Sequence, residues 1–388
     1  MTAEDISQIA ARGEDSKHQF KLKVTRADSL SQDLVAFSNS GGGRIFVGIG
    51  DDGRVQGLAP LETQTLNQLL SSASSQHVEP PVNPSSENVL TSDGVVVVIS
   101  VADGLSKPYA DKNGAVWVRS GADKRKATSR EEILRMYQAA GAIHGDEVPV
   151  RGLTPADLDK PYFREFYEKH YGPWTDLQLP MDRLLENMNL SREGALTVAG
   201  ALLFAAQPQF RLPAFVVKAV AFQDDDLAST RYYDSQDITG KLSVVFQDAL
   251  GFVLRNLFRQ QNGQNVNSLG QIEIPQIALE ELLANALIHR DYFISAPVRL
   301  LIFPSRIEII SPGRLPNNLT IENIKLGNSN MRNPILASFA TRILPYRGLG
   351  SGIIRALRAY PDIDFENDLD GNIFRVTLKR NAQPFIVD

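Results

Sequence analysis

The sequence contains no cysteine. This absence excludes disulfide bonds, thiolate metal sites and cysteine nucleophiles. Long apolar runs are also lacking, since the longest one, residues 195–206, is too short to cross a bilayer. The opening residues, MTAEDISQIAARGED, lack the apolar core of a signal peptide. We therefore expect a soluble, cytoplasmic protein without a membrane partner.

Neither sign of charge dominates. Lys and Arg number 40 and Asp and Glu 45, which leaves a formal net charge of −5. This balance argues against indiscriminate binding of polyanions but leaves room for a local basic patch. A hydrophobic share of 43% with 22% charged residues is typical of globular proteins. The 388 residues are too many for one ordinary core, so two or three domains are expected.

One stretch, residues 278–292 with the letters ALEELLANALIHRDY, combines an apolar face with a chemical face. On a helix of about 100° per residue, one arc carries Leu279, Leu282, Leu283, Ala286 and Leu287. The opposite arc carries Glu281, Asn285 and His289, one turn apart. A carboxylate, an amide and an imidazole in this layout indicate a metal and phosphate site. The alternative is an amphipathic core helix with an incidental Glu and Asn.

Glu281-x-x-x-Asn285 resembles the N box of the GHKL ATPases, the Bergerat-fold group that includes gyrase-type topoisomerases, heat-shock chaperones and sensor histidine kinases. The resemblance implies that Asn285 is a Mg²⁺ ligand and that Glu281 is the catalytic residue polarising the attacking water. Mg²⁺ takes oxygen ligands and keeps several waters, so one amide oxygen plus phosphates can hold it. An unpaired carboxylate nearby can accept a proton.

The C-terminal third continues this pattern. Two alternating strands at 298–303 and 306–310 are followed by a Pro-Gly turn, an Arg-Asn-Pro motif and the glycine run GLGSG before a helix at 353–359. Glycines before a helix N-terminus let backbone N–H groups face a phosphate. In order and spacing these motifs resemble a divergent GHKL branch found in bacterial proteins described as transcriptional regulators. The implied ligands are ATP and Mg²⁺, and the implied nucleotide-binding residues are Asn285, Ser311, Gly313, Arg332, Gly348, Gly350 and Gly352.

Ser311 departs from that family pattern. Ordinary GHKL enzymes carry an Asp near this place, which accepts a hydrogen bond from the adenine amino group. A serine accepts without charge, and a charge-assisted bond is roughly twice as strong as a neutral one. Whether ATP is hydrolysed, or only bound, stays open at this point.

The N-terminal third resembles the Schlafen-type AlbA-like domain over about residues 13–137. The motifs that carry this resemblance are Glu14, Phe20-Lys21, the helix end AFSN at 36–39, two glycines at 41–42, GIGDD at 48–52 and the strand VWVR at 116–119. Domains of this family are linked to DNA or RNA binding, and DNA is the partner we expect here. Two basic clusters are the candidate contacts: Lys17, Lys21 and Lys23, then Arg119, Lys124, Arg125 and Lys126. Such side chains position phosphates without reading sequence, although ordinary solvated charge runs would look the same.

Some Schlafen proteins cut RNA with three carboxylates that gather a divalent cation. Glu14 with Asp51 or Asp52 could supply two of them as a residual nuclease site. Gln19 stands where the family pattern has its second glutamate, so cleavage is not predicted. A metal-dependent nuclease that serves phage defence remains one alternative. An interaction scaffold with a degenerate nucleotide site is the other.

The middle of the chain is mostly helical, with a long helix at 238–258 and a β-strand at 214–222. A Ser- and Pro-rich stretch at 71–84 is predicted to be a surface loop of the first domain. The predicted fold class is α+β. It consists of an AlbA-like α/β domain at 1–146, a helical middle at 147–270 and a GHKL-like α/β sandwich at 271–388. The predicted function is a DNA-binding transcriptional regulator, acting as a homo-oligomer, whose last domain binds ATP and Mg²⁺ as ligands or as a slow ATPase.

Overall fold

A computed structural model describes residues 1–260, 270–316 and 319–380. The chain divides into two compact units, Met1–Ile143 and His144–Asp388. Both units combine helices with sheets, and the α+β fold class is confirmed.

The first unit contains a four-stranded sheet in the order β1-β2-β5-β4. Its elements are α1 (Ala3–Arg12), β1 (His18–Lys21), α2 (Ala27–Asn39), β2 (Gly43–Val47), α3 (Pro60–Gln76), β3 (Val78–Glu79), β4 (Ser85–Thr91), β5 (Gly94–Val101), β6 (Ala110–Asp111), β7 (Trp117–Ser120), β8 (Asp123–Lys126) and α4 (Arg130–Ala139). Strand β1 pairs with β2 in parallel, whereas β2 with β5 and β5 with β4 are antiparallel.

Alternation along the strands gives this sheet two apolar faces. Ile45 and Val47 of β2 pack in one cluster with α2 and α3, while Phe46 between them packs in another with Ile6 of α1. Helix α2 ends at a glycine turn, where Gly42 has φ 73° and an added Cβ would lie 2.7 Å from Val101 O. Glycine fits this left-handed position and close approach.

The prediction of a loop over 71–84 is wrong for its first half. Helix α3 runs on to Gln76, because Leu66, Leu70 and Ala73 recur at helical spacing and are buried against the sheet. Serines within its last turns bond back to carbonyls one turn earlier, as Ser75 does to Ser71 O at 2.7 Å. Tertiary packing therefore outweighs the low helix propensity of the serine run.

The second unit contains a six-stranded sheet in the order β12-β11-β15-β16-β18-β17. Its elements are α5 (Lys160–His170), α6 (Met181–Asn187), β9 (Ser191–Arg192), β10 (Ala195–Leu196), α7 (Val198–Phe204), β11 (Val217–Phe222), β12 (Tyr232–Ile238), α8 (Leu242–Arg255), β13 (Arg259–Gln260), β14 (Gln271–Ile272), α9 (Gln276–His289), β15 (Val298–Ile302), β16 (Arg306–Pro312), α10 (Ile321–Lys325), α11 (Pro334–Ile343), α12 (Gly352–Ala359), β17 (Ile363–Asp368) and β18 (Ile373–Lys379). Strands β11 and β15 are parallel, and the other neighbours are antiparallel.

One hydrophobic core runs through this second unit. It joins residues of the middle segment, such as Phe204 and Phe252, to residues of the last third, such as Leu283 and Leu336. Strand β11 of the middle segment lies in the same sheet as β15. The long helix predicted at 238–258 is shorter, since Ile238 belongs to β12 and α8 begins at Leu242.

No helix among residues 1–260, 270–316 and 319–380 is long and apolar enough to span a membrane.

Candidate functional site

Helix α9 carries the two residues of the N-box pattern on its cleft side. It is buried on almost every face, and even Glu281 is only 4% exposed. The amide nitrogen of Asn285 donates to the carbonyl of Glu281 at 2.7 Å, one turn earlier. This bond fixes the amide, whose oxygen then points away from the helix backbone. Both side chains line a single cleft of the second unit.

The glycine run lies directly against these two side chains. A Cβ added to Gly352, at the start of α12, would lie 2.7 Å from Glu281 Oε2 and 3.0 Å from Asn285 Nδ2. Gly348 and Gly350 have φ values of 67° and 71°, in the left-handed region that favours glycine. The glycine run thus forms a bend at residues 348–352, called the glycine bend below. A Cβ on Gly350 would overlap the carbonyl of Gly327, so this bend packs against the loop after α10.

Glu281 is not the unpaired carboxylate that the sequence suggested. Its Oε1 lies 2.5 Å from Nη2 of Arg355, one turn into α12. Burial raises the pKa of the Glu281 carboxyl, while the charges of Arg355 and Arg347 oppose the shift. The carboxylate is therefore held in an ion pair, although its pKa stays above the ordinary value of a glutamate.

Ser311 and Gly313 lie at the floor of the same cleft, at the end of β16. The hydroxyl of Ser311 is buried and donates to the carbonyl of Ala286 on α9 at 3.1 Å. Its oxygen keeps lone pairs that can accept a neutral hydrogen bond. Gly313 has φ 97°, and an added Cβ would lie 2.5 Å from Asp291 Cβ.

Arg332 does not line the cleft with the other candidates. Its guanidinium donates to the carbonyl of Arg314 at 2.6 Å and lies 3.4 Å from that of His289, the last residue of α9. The next residue, Asn333, is fully buried and donates to the carbonyls of Ile288 and Arg290, each at 2.8 Å. The Arg-Asn-Pro motif therefore caps the C-terminus of α9 and holds the Gly313 turn in place.

His289 reaches the cleft wall as a neutral side chain. Its Nε2 lies 3.0 Å from the hydroxyl of Tyr346, and burial beside Arg332 lowers its pKa to about 4. At pH 7 it therefore adds no positive charge for a phosphate. The cations that line the cleft are instead Arg314, Arg347 and Arg355. Sequence reasoning missed all three, although Arg347 adjoins the glycine run and Arg355 follows Gly352 by one helical turn.

Most of the candidate residues for a nucleotide line one cleft of the second unit. The cleft thus brings together Glu281, Asn285, Ser311, Gly313 and the three glycines of the bend.

In the first unit the two basic clusters meet around a buried carboxylate. Asp33 on α2 is 1% exposed and binds Lys21 at 3.0 Å and Lys124 at 2.7 Å. Lys23 pairs with Glu62 at 2.6 Å, and Arg125 binds Glu132 through two hydrogen bonds. Much of the positive charge in these clusters is thus neutralised within the protein.

The remaining cations of these clusters also have protein contacts. Lys17 donates to the carbonyl of Gly41 at 2.6 Å, and Arg119 donates to the side chain of Gln19 and lies over the ring of Phe37. Lys126 lies over the indole of Trp117, 5.3 Å from its centroid. Lys17 and Lys126 are nonetheless exposed to solvent.

The three acids of the residual nuclease site are engaged separately. Glu14 accepts hydrogen bonds from the Gln19 side chain at 3.1 Å and from the backbone of Phe20 at 2.6 Å. Asp51 and Asp52 are exposed in the turn after β2, where Asp52 accepts from the backbone of Arg54. In the described part of the chain, no group of three His, Asp or Glu side chains is placed to hold a metal ion.

The arrangement defines a two-part protein, with an AlbA-like unit and a unit whose cleft has the layout of a nucleotide site. Comparison with known families agrees with both parts. Residues 14–128 match the family described as "Schlafen, AlbA_2", and residues 295–378 match the one described as "Putative ATP-dependent DNA helicase recG C-terminal". The chain thus carries a Schlafen AlbA_2 domain followed by an ATPase-like domain, and the predicted AlbA-like domain is confirmed. These domains suggest a function related to nucleic acids and ATP binding.

Two solved structures are similar to this chain, one over almost its whole length and one over a third of it. A crystal structure of the DIP2311 protein from Corynebacterium diphtheriae shares 22% identity at a TM-score of 0.45, covering 99% of this chain and 69% of that one. A solution structure of the N-terminal domain of a RecG-related protein from Nitrosomonas europaea shares 22% identity at a TM-score of 0.25, covering 33% of this chain and 91% of that one. No curated protein matches the chain.

Proposed function

We propose that this protein is a nucleic-acid-binding regulator whose second unit binds ATP together with Mg²⁺, as a ligand or as a slowly hydrolysed substrate. The observation that carries the proposal is the contact between Gly352 and the pair Glu281 and Asn285, which unites the N-box pattern and the glycine bend in one cleft. A transcriptional role, DNA rather than RNA, a cytoplasmic location and a homo-oligomeric state are finer parts of the proposal. The first two rest on the family resemblance, and the last two are expectations carried over from the sequence.

A triphosphate suits the chemistry of this cleft. The first N–H groups of α12 lack partners within their own helix and carry its positive dipole end. Because Gly348, Gly350 and Gly352 have no side chains, their backbone is accessible to a phosphate. Arg347 adds a positive charge beside this backbone. Backbone donors and nearby cations are the groups that bind phosphates at helix N-termini.

Mg²⁺ would be held by the amide oxygen of Asn285, because the amide nitrogen is already bonded to the Glu281 carbonyl. When bound, the ion would neutralise the charge on the phosphates. Glu281 would serve as the group that orients or deprotonates water, but Arg355 already engages one of its carboxylate oxygens. Because that oxygen is not free for water, we propose binding with slow hydrolysis rather than rapid turnover.

The base would lie toward Ser311, at the floor of the cleft. Because the Ser311 hydroxyl donates to Ala286, only its oxygen lone pairs face a base. A neutral acceptor of this kind favours an amino group weakly. We therefore propose modest rather than strong preference for adenine.

Calorimetric titration of ATP into the full chain, with and without Mg²⁺, tests the proposal. The wild type should bind more tightly with Mg²⁺, and Asn285→Ala should lose that enhancement, about tenfold or more, because it removes the ligand oxygen. Asn187→Ala, at an exposed position on α6, is the matched control and should behave like the wild type. An absence of ATP binding by the wild type, or an unchanged Mg²⁺ effect in Asn285→Ala, would refute a nucleotide site here.

A further inference from the structure

A row of polar side chains crosses the four-stranded sheet of the first unit. His18 of β1 lies opposite Arg44 of β2, Arg44 opposite Ser100 of β5, and Ser100 opposite Ser85 of β4. Residues directly opposite each other on paired strands point to the same face of a sheet. The four side chains therefore form one line across all four strands.

This row lies beside the part of the sheet face that α1 covers. Two residues further along the strands, Phe20, Phe46 and Val98 are buried in a cluster with Ile6 of α1. In the row itself, by contrast, Arg44 and Ser85 are exposed and His18 and Ser100 partly so. Packing of the core does not require an arginine at this uncovered position.

The groove along the row is basic. Its polar lining consists of Lys17, His18, Arg44, Asn83, Ser85 and Ser100, with no carboxylate among the described residues. Arg44 and Ser100 also line an adjoining groove that contains Asp5 and Glu87. Glu87 is paired with the ammonium of Met1, and Asp5 accepts a hydrogen bond from the backbone of Thr2, so both carboxylates are already engaged. Arg44 pairs with no acid in the described part of the chain, unlike Lys21, Lys124 or Arg125 in the basic clusters. Asp15, which precedes Lys17 and His18 in the sequence, is occupied by the ring of His18 at 3.0 Å and by the backbone of Lys17 at 2.6 Å.

We propose that this row binds the sugar–phosphate backbone of a nucleic acid. Adjacent strands lie about 4.8 Å apart, so four side chains span roughly 14 Å, more than one phosphate group requires. Arginine, serine and asparagine donors are the groups that contact phosphates and sugars in such complexes. No Phe, Tyr or Trp side chain belongs to the row, so its contacts are with phosphates and sugars rather than with the faces of bases. The inference rests on the proposed nucleic-acid-binding function and locates its surface.

Binding of fluorescein-labelled single-stranded DNA, duplex DNA and RNA to the full chain, followed by fluorescence anisotropy between about 50 and 200 mM salt, tests this assignment. Arg44→Gln should weaken binding about five- to tenfold near 0.1 M salt and reduce the slope of log K against log salt by about one. Arg54→Gln removes the same charge from an exposed turn of the same unit and should leave the affinity within about twofold of the wild type.

A second pair of variants tests whether binding depends on which face of the sheet carries the changed charge. Ser85→Glu places a carboxylate in the row, whereas Ser86→Glu places it at the next residue of β4, on the opposite face of the sheet. Both serines are exposed, so both variants should fold. Only Ser85→Glu should weaken binding.

The outcomes distinguish a wrong assignment of the binding surface from a wrong proposed function. If the wild type binds nucleic acid and Arg44→Gln and Ser85→Glu match their controls, the row is not the binding surface and the proposed function stands. If the wild type binds none of the three probes, the nucleic-acid part of the proposed function is wrong and this inference falls with it.

Discussion

Two buried carboxylates of the second unit are stabilised in different ways. Glu281 lies against the guanidinium of Arg355, so its charge has a partner of opposite sign. Asp146 is fully buried at the short helical turn Gly145–Glu147, and its Oδ2 accepts from the backbone of Leu336 at 2.9 Å, near the start of α11. Its other oxygen, Oδ1, has no hydrogen-bond partner within the described residues. Asp146 therefore has only partial compensation for the loss of water.

This difference predicts a pH-dependent stability. Burial raises the pKa of Asp146 to about 6 in the folded protein, above the ordinary value of 3.8 that the unfolded chain keeps. The folded state thus binds the proton more tightly, and this residue's contribution to stability is greatest below about pH 4 and is lost as the pH rises to about 6. The full change amounts to about 3 kcal/mol. Urea unfolding of the wild type and Asp146→Asn across this range should show it as a difference between the two curves.

Asp248→Asn serves as the control for Asp146→Asn, because Asp248 is an exposed carboxylate on α8 of the same unit. Its stability should follow the wild type at every pH. A constant free-energy difference between the wild type and Asp146→Asn from pH 4 to pH 7 would show that Asp146 does not titrate as its burial suggests.

At the scale of elements, the glycine bend and α12 form one wall of the cleft and α9 forms another. Two glycines of the bend share a left-handed backbone but differ in their surroundings. A Cβ on Gly348 would find its nearest atom at 3.6 Å, an ordinary contact, whereas a Cβ on Gly350 would overlap the carbonyl of Gly327. The bend is thus fixed to the loop after α10 at Gly350 and open at Gly348.

Alanine at these two glycines should therefore have unequal effects. Each change imposes left-handed strain of about 1–2 kcal/mol, but only Gly350→Ala also pushes the bend away from Gly327. Gly350→Ala should weaken ATP binding about tenfold and lower the melting temperature more than Gly348→Ala does. Calorimetry and thermal unfolding measure both quantities. Equal losses in the two variants would mean that backbone strain, and not the contact with Gly327, controls the bend.

Local patterns predicted the elements that carry most of these candidate residues, because each motif is short and continuous in the sequence. The N-box pair lies on one helix, and the glycine run precedes another at the predicted place. What could not be predicted depends on contacts between distant residues. The pairing of Glu281 with Arg355 and of Asp33 with Lys124 joins elements far apart in the chain. A count of charges along the sequence does not show that these cations are paired. Nor does it show that Arg44 has no acidic partner among the residues that the structure describes.

Prediction of the fold from local patterns meets the same limit. Helix and strand positions followed from periodicity, for example α2 and β15. The serine-rich end of α3 did not, because its helical state depends on burial of Leu70 and Ala73 against α2 and the sheet. Sheet order was beyond local pattern as well, since β11 joins β15 across the whole of α8 and α9.

At the scale of the whole molecule, the proposed function assigns one ligand to each unit. Nucleic acid would bind the unit Met1–Ile143 and ATP the unit His144–Asp388. A regulator of this kind requires an energetic link between the two binding events. Without it, the two domains would be independent modules on one chain.

Such a link must be reciprocal, and this gives the last prediction. If saturating ATP and Mg²⁺ lower the Kd for DNA by some factor, saturating DNA must lower the Kd for ATP by the same factor, typically about 5- to 150-fold. Anisotropy titrations of DNA with and without ATP, and calorimetric titrations of ATP with and without DNA, measure the two factors independently. Asn285→Ala should abolish the effect of ATP on DNA binding while keeping the Kd for DNA alone, because Asn285 lies in the cleft of the second unit. An ATP-independent Kd for DNA in the wild type, despite tight ATP binding, would show that the nucleotide does not regulate the first unit.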